Sequence, residues 1–278
     1  MEVSLYPNCD GTDLTLYLYA PSHYGPEKLK ITRCRACGMT FTNPQSVSYE
    51  TRVTERGVLD RHFDPSRLET AKLLASFHLS YLARLAPGRR ILDFGCGEGA
   101  FVSQARQEGW SAVGVDLNAE LVRSANEYWG FNALHHLSLD RLLTTGWAFD
   151  AIYSNQVFEH LRRPVETGRA LATLLAPGGV MFLDVPNAKQ AAEVLNPGTT
   201  LDPTSHFNHF TVETLSQLVE KVGCLPLYQS GSPGLVTAWP RLGMGRWAIS
   251  LARLTRRLLP DVGSGVCVIG RKRAVIAS

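Results

Sequence analysis

The stretch Ile91-Leu92-Asp93-Phe94-Gly95-Cys96-Gly97-Glu98-Gly99-Ala100 decides the fold. Two aliphatic residues lead into an acid, three glycines follow at alternate positions, and a helical pattern begins after them. This order is typical of a buried strand that turns tightly into a helix. The glycines let a ligand approach the main chain, and free amide groups at the helix start would face it. Since Gly95-x-Gly97-x-x-Ala100 also fits the relaxed dinucleotide fingerprint, the stretch predicts a nucleotide-type ligand without choosing which one.

The composition is that of a globular protein with one large domain and room for a small appendage. The 278 residues are 45% apolar and 19% charged, and 28 basic against 25 acidic residues leave a net charge of +3. This balance does not favour a nucleic-acid partner. No apolar run is long enough for a transmembrane helix, and the N-terminus lacks the pattern of a signal peptide. Six cysteines without a dense disulfide framework favour a cytoplasmic location, and nothing in the sequence indicates an oligomeric state.

From residue 89 onward, segments of strand type alternate with segments of helix type. This alternation predicts a parallel sheet covered on both faces, with ligands at the edge formed by the carboxyl ends of the strands. The predicted strands cover 90–95, 111–116, 132–136, 149–154, 180–185, 225–229 and 265–270, and the predicted helices cover 99–108, 119–129, 164–175 and 211–222.

Residues 1–45 form a separate N-terminal segment with a candidate metal site made of Cys9, Cys34 and Cys37. The Cys-x-x-Cys-Gly run at 34–38 is typical of a zinc knuckle, in which two thiolates lie on a tight turn. A zinc ribbon has a second such pair, but Tyr6 stands where its first cysteine would be. Three thiolates with His23 or water as a fourth ligand could hold zinc. A ribbon that folds without metal, and a disulfide, also stay open.

The remaining segments divide into a connector and two insertions. Residues 46–88 are predicted to be a helical connector or cap, with a helix over 66–85. The domain 89–278 then carries insertions at 186–210 and 235–260. The second insertion has the pattern of a basic amphipathic helix. Such a helix could contact a membrane peripherally or hold an anionic substrate. We favour the alternative that it forms a lid over the substrate site or a dimer contact.

Two acids separate the possible nucleotide ligands. Asp116 ends the second predicted strand, 21 residues after Gly95, where a carboxylate can bind both hydroxyls of a ribose; a helix-capping role is also open. Asp93 discriminates further, because strands that bind NAD usually carry an apolar residue at this position. A carboxylate there suits a ligand with a positive group, and S-adenosylmethionine has both an ammonium and a sulfonium.

The run 93–99 resembles the first motif of the class I S-adenosylmethionine-dependent methyltransferases. Further blocks resemble that family in the right order, at 115–118, 138–140, 149–152 with 158–161, and 175–179, so the likeness covers about residues 89–273. The resemblance implies an α/β fold with a seven-stranded Rossmann-like sheet, mostly parallel with the last strand antiparallel. It also implies a cofactor site at Asp93, Gly95, Cys96, Gly97, Gly99, Asp116, Leu117, Ser138, Leu139, Asn155 and Gln156.

Within that family, the chain is similar to the small-molecule branch that includes ubiquinone-type O-methyltransferases. The pair Glu159-His160 and the run 206–211 carry this likeness, while the N-terminal knuckle resembles that of some natural-product and sugar methyltransferases. His160 is our first candidate for a catalytic base, and His206 and His209 are its rivals. Glu159 could orient a histidine or bind a divalent ion, although Gln156 stands where those relatives often carry another acid.

These patterns predict a methyltransferase that acts on a small molecule, with a hydroxyl of a sugar, phenol or natural-product intermediate as the favoured acceptor. The cofactor is S-adenosylmethionine, with structural zinc as an additional candidate. An RNA or protein methyltransferase is a competing interpretation, but basic residues are scattered without interleaved aromatics, so we expect no nucleic-acid partner. Two more interpretations compete with it, namely a module that binds the cofactor without turnover and an NAD-dependent oxidoreductase.

Overall fold

In a computed structural model, the described residues are 9, 11–21, 28–43, 62–189, 203–232 and 265–273. They form two β-sheets and six α-helices. The predicted insertion at 235–260, the candidate ligand His23 and Tyr6 lie outside these residues. Among the described residues, no helix combines the length and the apolar character needed to cross a membrane.

The central sheet has seven strands and confirms the predicted architecture. Its strands are β4 (Arg90–Phe94), β5 (Ser111–Asp116), β6 (Leu134–His136), β7 (Phe149–Asn155), β8 (Leu175–Pro186), β10 (Cys224–Ser232) and β11 (Gly265–Lys272). Across the sheet they lie in the order β10-β11-β8-β7-β4-β5-β6. The strands from β6 to β8 are parallel, whereas β11 runs antiparallel to both β8 and β10. The carboxyl ends of β4, β5 and β7 therefore meet at one edge, where the sequence places its glycine turn.

The helices are α1 (Pro65–Leu85), α2 (Ala100–Gln107), α3 (Ala119–Trp129), α4 (Leu139–Leu143), α5 (Pro164–Thr173) and α6 (Val212–Lys221). Local chemistry explains where two of them begin. Asp64 caps α1 by accepting a hydrogen bond from the Arg67 amide, and a proline follows at the first helical position. At α6, the side chains of Thr211 and Thr214 form a reciprocal capping box. The sequence predicted these helices well but missed the short helix α4.

Strand β8 is longer than the sequence predicted. The predicted strand began at 180, after a helix ending at 175, and this boundary was wrong, because β8 already includes the run Pro177-Gly178-Gly179. Leu175 already pairs with Phe149, and the pairing then shifts register so that Val180 lies opposite Ala151. The Pro-Gly-Gly run is therefore contained in an irregularity of the ladder, since pairing on both sides of it outweighs its turn preference.

The second sheet, here called the N-terminal sheet, has four strands in the order β1-β2-β3-β9. Three come from the N-terminal segment: β1 (Leu14–Pro21), β2 (Lys28–Cys34) and β3 (Thr40–Thr42). The fourth, β9 (Asn208–His209), comes from the segment 186–210, which the sequence presented only as a loop. Phe41 of β3 is fully buried in the same core as Phe158 and Phe210. The N-terminal sheet thus packs against the segment after β7, which carries Phe158, and the segment after β9, which carries Phe210.

Candidate functional site

The glycine turn after β4 combines tight packing with one open position. Gly95 has a φ of +80°, and a Cβ atom there would lie 2.4 Å from Cγ2 of Val157. Gly97 has a φ of +50°, but a Cβ atom there would meet nothing within 4 Å. Glycine is therefore required at 95 by both backbone angle and packing. At 97 the main chain faces open space, so a ligand can approach it there.

Asp116 is bound to this turn. One of its carboxylate oxygens accepts a hydrogen bond from the Gly97 amide at 3.0 Å, and the other accepts from the Asn118 amide at 2.9 Å. Asn118 in turn caps helix α3. The carboxylate is half-buried, so it fixes the turn while staying within reach of a ligand at the sheet edge. The helix-capping interpretation of Asp116 is therefore wrong, since Asn118 is the cap, and the ribose-binding interpretation stays a prediction.

Three carboxylates surround the turn. Asp93 is only 4% exposed, and burial, together with the charges of Glu98 and Asp116, raises its pKa well above the usual range. For Glu98, burial is the largest single influence and also raises the pKa. A hydrogen bond from His62 at 3.1 Å, a main-chain hydrogen bond and the charges of His62 and Arg67 together outweigh burial, so the pKa of Glu98 is lowered. This concentration of negative charge suits a cationic ligand. The sequence pointed to Asp93 and Asp116 but carried no signal for His62.

The remaining predicted cofactor residues have different surroundings. Cys96 is buried against Gly114, where a Cβ atom would lie 2.6 Å from the Cβ of Cys96, so it acts as a packing residue. Leu117 is 72% exposed beside Asp116. Ser138 caps helix α4 by accepting a hydrogen bond from the Arg141 amide, and Leu139 is the first residue of that helix. These residues all follow β4, β5 or β6 at the ligand edge.

Asn155 and Gln156 lie where β7 ends. Among the described residues, Gln156 is the one non-glycine residue with a positive φ, at 57°. Its amide donates to the carbonyl of Asp184 at 2.8 Å, which holds this uncommon conformation in place. Backbone strain of this kind concentrates at functional sites. The strand end is therefore fixed next to the glycine turn rather than free to relax.

The helical turn Phe158–His160 brings three of the predicted catalytic residues together, namely Glu159, His160 and His206. Nδ1 of His160 lies 2.8 Å from the carbonyl oxygen of Ser205. Because a carbonyl can only accept, Nδ1 carries the hydrogen and the lone pair of the neutral ring is on Nε2. The ring of His206 is 4.9 Å from the ring of His160, and Oε1 of Glu159 is 3.7 Å from Nε2. The ligand atoms of these three residues all lie within 4.8 Å of one another.

His209 has a different environment from the other two histidines. It is 3% exposed, and its Nε2 lies 3.0 Å from the hydroxyl of Thr42 on strand β3. The structure thus brings His160 and His206 together but places His209 against the N-terminal sheet. A hydrogen bond to a residue so far away in the sequence could not be read from the His206-x-x-His209 spacing.

Glu159 is a buried acid whose carboxylate oxygens have no hydrogen-bond partner among the described residues. Burial is the main cause that raises its pKa to about 8, and the charge of Asp184 adds to it. The fold therefore holds Glu159 in its neutral form near pH 7. Ionisation costs stability, because an unpaired charge would be buried.

We expect Glu159→Gln to stabilise the protein at alkaline pH but not at acidic pH. Below the ordinary glutamate value of 4.5 both folded and unfolded chains carry the proton, and stability is lost as pH rises toward about 8. The glutamine variant should gain on the order of 2–4 kcal/mol at about pH 9 and little at about pH 5. Urea denaturation at both pH values measures this, with exposed Glu120→Gln as control. An equal gain at both pH values would contradict the buried-acid account.

A second buried network, which the sequence patterns did not indicate, lies between helix α1 and the sheet. His78 is fully buried; its Nδ1 lies 3.0 Å from the Tyr153 hydroxyl and its Nε2 lies 3.8 Å from Oδ2 of Asp184. Its ring also packs 4.5 Å from the ring of Phe182. The one sequence feature that could have indicated this network is a histidine on the apolar face of the predicted helix 66–85. This network ties α1 to the strand ends of the site.

The three N-terminal cysteines cluster in space. Sγ of Cys9 is 3.6 Å from Sγ of Cys34, and all three sulfur atoms lie within 4.8 Å of one another. The six cysteines are free thiols. Burial raises the pKa of Cys37 to about 12. At Cys34 burial is again the largest single influence, but hydrogen bonds from the Cys37 and Ala36 amides and with the Cys9 and Cys37 thiols together outweigh it and lower the pKa. The knuckle turn therefore gathers three potential ligands.

Comparison with known proteins agrees with this geometry. A family model described as a methyltransferase domain matches residues 66–228, which is more than half of the chain. The chain belongs to this methyltransferase family. It is an S-adenosylmethionine-dependent methyltransferase of class I, as the sequence motifs predicted.

Individual relatives share the fold at modest identity. The ubiquinone biosynthesis O-methyltransferase of Xanthomonas campestris pv. campestris (strain B100) is 32% identical over 172 residues, which are 55% of this chain and 69% of the relative. The plantazolicin methyltransferase BpumL in complex with SAH has a TM-score of 0.55 at 16% identity, covering 81% of this chain and 94% of that chain. An O-methyltransferase family protein from Burkholderia thailandensis has a TM-score of 0.56 at 16% identity, and the match covers 81% of this chain and 63% of that chain. The two structures support the fold.

Proposed function

We propose that this methyltransferase acts on a hydroxyl group of a small molecule, such as a phenol, sugar or natural-product intermediate. The observation that carries the proposal is His160, whose Nδ1 is engaged by the Ser205 carbonyl so that Nε2 can accept a proton. A histidine held in this tautomer suits an acceptor that must lose a proton during the reaction. The similarity to ubiquinone-type O-methyltransferases supports the same class of acceptor.

The cofactor supplies an electrophilic methyl group on its sulfonium. The residues of this chain would then act by position and charge. Asp93 and Asp116 would hold the ammonium and the ribose, with the open main chain at Gly97 against the ligand. His160 would take the proton from the acceptor hydroxyl as the oxygen attacks the methyl carbon. Oε1 of Glu159 lies 3.7 Å from Nε2 of His160, and because this side chain is neutral it would place no second negative charge beside the base.

The direct test is methyl transfer with a panel of acceptors. The full chain would be incubated with S-adenosylmethionine and separate catechols, phenols, sugar nucleotides and amines, and both S-adenosylhomocysteine and the methylated product would be measured by mass spectrometry. We expect product from a hydroxyl acceptor, with the new methyl on oxygen. Product only from amines, or only from RNA or protein, would overturn the proposal, and cofactor binding without any product would favour a non-catalytic module.

The same assay separates a histidine base from a metal-assisted mechanism. Glu159, His160 and His206 offer a set of donors suited to a divalent cation. If His160 acts alone, turnover should persist in a chelator. Loss of turnover that magnesium or manganese restores would instead assign the three residues to a cation that binds the acceptor.

We also propose structural zinc at Cys9, Cys34 and Cys37. Tetrahedral zinc with bonds of about 2.3 Å to sulfur places its ligands about 3.8 Å apart, and the 3.6 Å between Cys9 and Cys34 is close to that value. Glycine at position 11 leaves space for the cysteine sulfur atoms, since a Cβ atom there would lie 3.1 Å from Sγ of Cys9. Zinc would supply folding energy to the N-terminal sheet and take no part in the reaction.

Metal analysis of the purified chain tests this zinc proposal. We expect about one zinc per chain, and we expect Cys37→Ser to lose it and to unfold at a lower temperature, because three ligands become two. Cys224→Ala, which removes a buried thiol outside the cluster, should retain the metal. A metal-free chain with reduced thiols and unchanged stability would exclude zinc.

A further inference from the structure

Strand β3 of the N-terminal sheet contacts the loop 203–210, here called the histidine loop, through its pairing with β9 and through the fully buried Thr42. In the paired part, the Thr40 hydroxyl also donates to the His209 carbonyl at 3.2 Å. The hydroxyl of Thr42 donates to the carbonyl oxygen of His206 at 3.0 Å. The Thr42 hydroxyl oxygen also lies 3.0 Å from Nε2 of His209, and the Thr42 amide donates to the carbonyl of Phe207 at 2.9 Å. A hydroxyl has one hydrogen, so its oxygen accepts from Nε2–H of His209. Thr42 thus binds three residues of the loop.

The opposite side of the histidine loop contacts the turn that carries the candidate base. The Phe207 amide donates to the carbonyl of Glu159 at 2.8 Å. The side-chain amide of Asn208 donates to the carbonyls of Phe158 at 3.0 Å and Leu161 at 2.6 Å. The loop is therefore held between β3 and the helical turn Phe158–His160, and the Ser205 carbonyl that fixes the tautomer of His160 belongs to it.

We propose that Thr42 is a positioning residue for the reaction: it fixes the histidine loop so that the Ser205 carbonyl holds His160 in the Nδ1–H tautomer. This inference rests on the proposed function, in which Nε2 of His160 accepts the proton. Without the Thr42 hydroxyl, the His206 carbonyl and the His209 ring would each lose one hydrogen bond, so β3 would hold the segment around His206 less firmly. Movement of the loop would release His160.

The chain offers a matched control on the neighbouring strand. Thr32 of β2 is 2% exposed and pairs in register with Phe41, one residue from Thr42. Its hydroxyl has no hydrogen-bond partner among the described residues. Thr32→Val and Thr42→Val therefore make the same chemical change in the same sheet, but only the second removes hydrogen bonds to the histidine loop. Thr42→Ser keeps the hydroxyl and should preserve the contacts.

The test combines imidazole nitrogen NMR spectra of the full chain, saturated with S-adenosylhomocysteine, with turnover. In wild type, Thr32→Val and Thr42→Ser, we expect His160 as the Nδ1–H tautomer and His209 as the Nε2–H tautomer. In Thr42→Val we expect both rings to become tautomer mixtures and kcat to fall at least about tenfold, with cofactor affinity unchanged. Wild-type tautomers in Thr42→Val, or equal loss in Thr32→Val, would overturn the proposal.

Hydrogen exchange in the wild-type chain keeps the proposal testable if Thr42→Val does not fold. The amides of Thr42 and Phe207 lie on opposite sides of the same loop, so they should become exposed in one opening event, with protection factors within about threefold of each other. Differences above about tenfold would refute coupling. If no hydroxyl acceptor is methylated, the proposed function fails, while the spectra and the exchange rates still decide the role of Thr42.

Discussion

His160→Ala is expected to lower kcat about 10²–10⁴-fold while leaving the affinity for S-adenosylhomocysteine within about twofold of wild type. The alanine removes the nitrogen that would accept the acceptor's proton, and the ring makes its fixed hydrogen bond to Ser205 on the acceptor side of the site. Calorimetry of cofactor binding and steady-state kinetics with the best acceptor of the panel measure the two quantities.

Asparagine at position 160 separates basicity from structure. Its side-chain NH₂ can replace Nδ1–H and donate to the Ser205 carbonyl, but the amide cannot accept a proton near neutral pH. His160→Asn should therefore be as slow as the alanine variant while retaining wild-type stability. Near-wild-type turnover in His160→Asn would remove His160 as the base. His206→Asn, made in parallel, tests the neighbouring ring.

Asp93→Asn is expected to weaken binding of S-adenosylhomocysteine at least about a hundredfold, because the variant replaces the buried carboxylate that, in the proposed function, would pair with the ligand ammonium. The pKa of Asp93 is raised by burial and by Glu98 and Asp116. A cation binds the ionised form, so wild-type affinity should increase as pH rises and Asp93 loses its proton. The asparagine variant should lack this increase.

A matched acid at the other end of the sheet controls for the loss of a buried charge. Asp150, near the start of β7, is 7% exposed and forms an ion pair with Arg90 at 3.0 Å. Asp150→Asn should reduce stability but leave cofactor affinity and its pH dependence unchanged. If Asp93→Asn binds within about threefold of wild type, the ammonium is held elsewhere.

The central sheet was predictable from the sequence because its signals are local. The apolar run of β4, the glycine turn and the acid at the end of β5 each occupy a few consecutive residues, and their order fixes the sheet through right-handed crossovers. Strand β5 was predicted at 111–116 and is observed at Ser111–Asp116. The predicted start of β8 was wrong because pairing with β7 outweighs the local Pro-Gly-Gly preference.

The acceptor side was only partly predictable. The sequence singled out Glu159, His160, His206 and His209. It placed His160 first only because of its position after the fourth predicted strand, at the ligand edge. The structure brings His160 and His206 within ring contact and gives His209 a buried partner on another sheet. Strand β9 is two residues long and had no periodicity to detect. Its existence depends on β3, which lies far away in the chain.

The sequence by itself determined the class I methyltransferase fold, the glycine turn and the acids around it, because strand, turn and helix patterns are written in neighbouring residues. Only the tertiary structure decided the surroundings of the acceptor-side histidines. Thr42 and His209 are 167 positions apart, and His78 and Tyr153 are 75 apart. Such contacts depend on which surfaces the completed sheets bring together, and no local pattern specifies them. The buried, neutral Glu159 follows from the same cause, since burial exists only after the chain has folded.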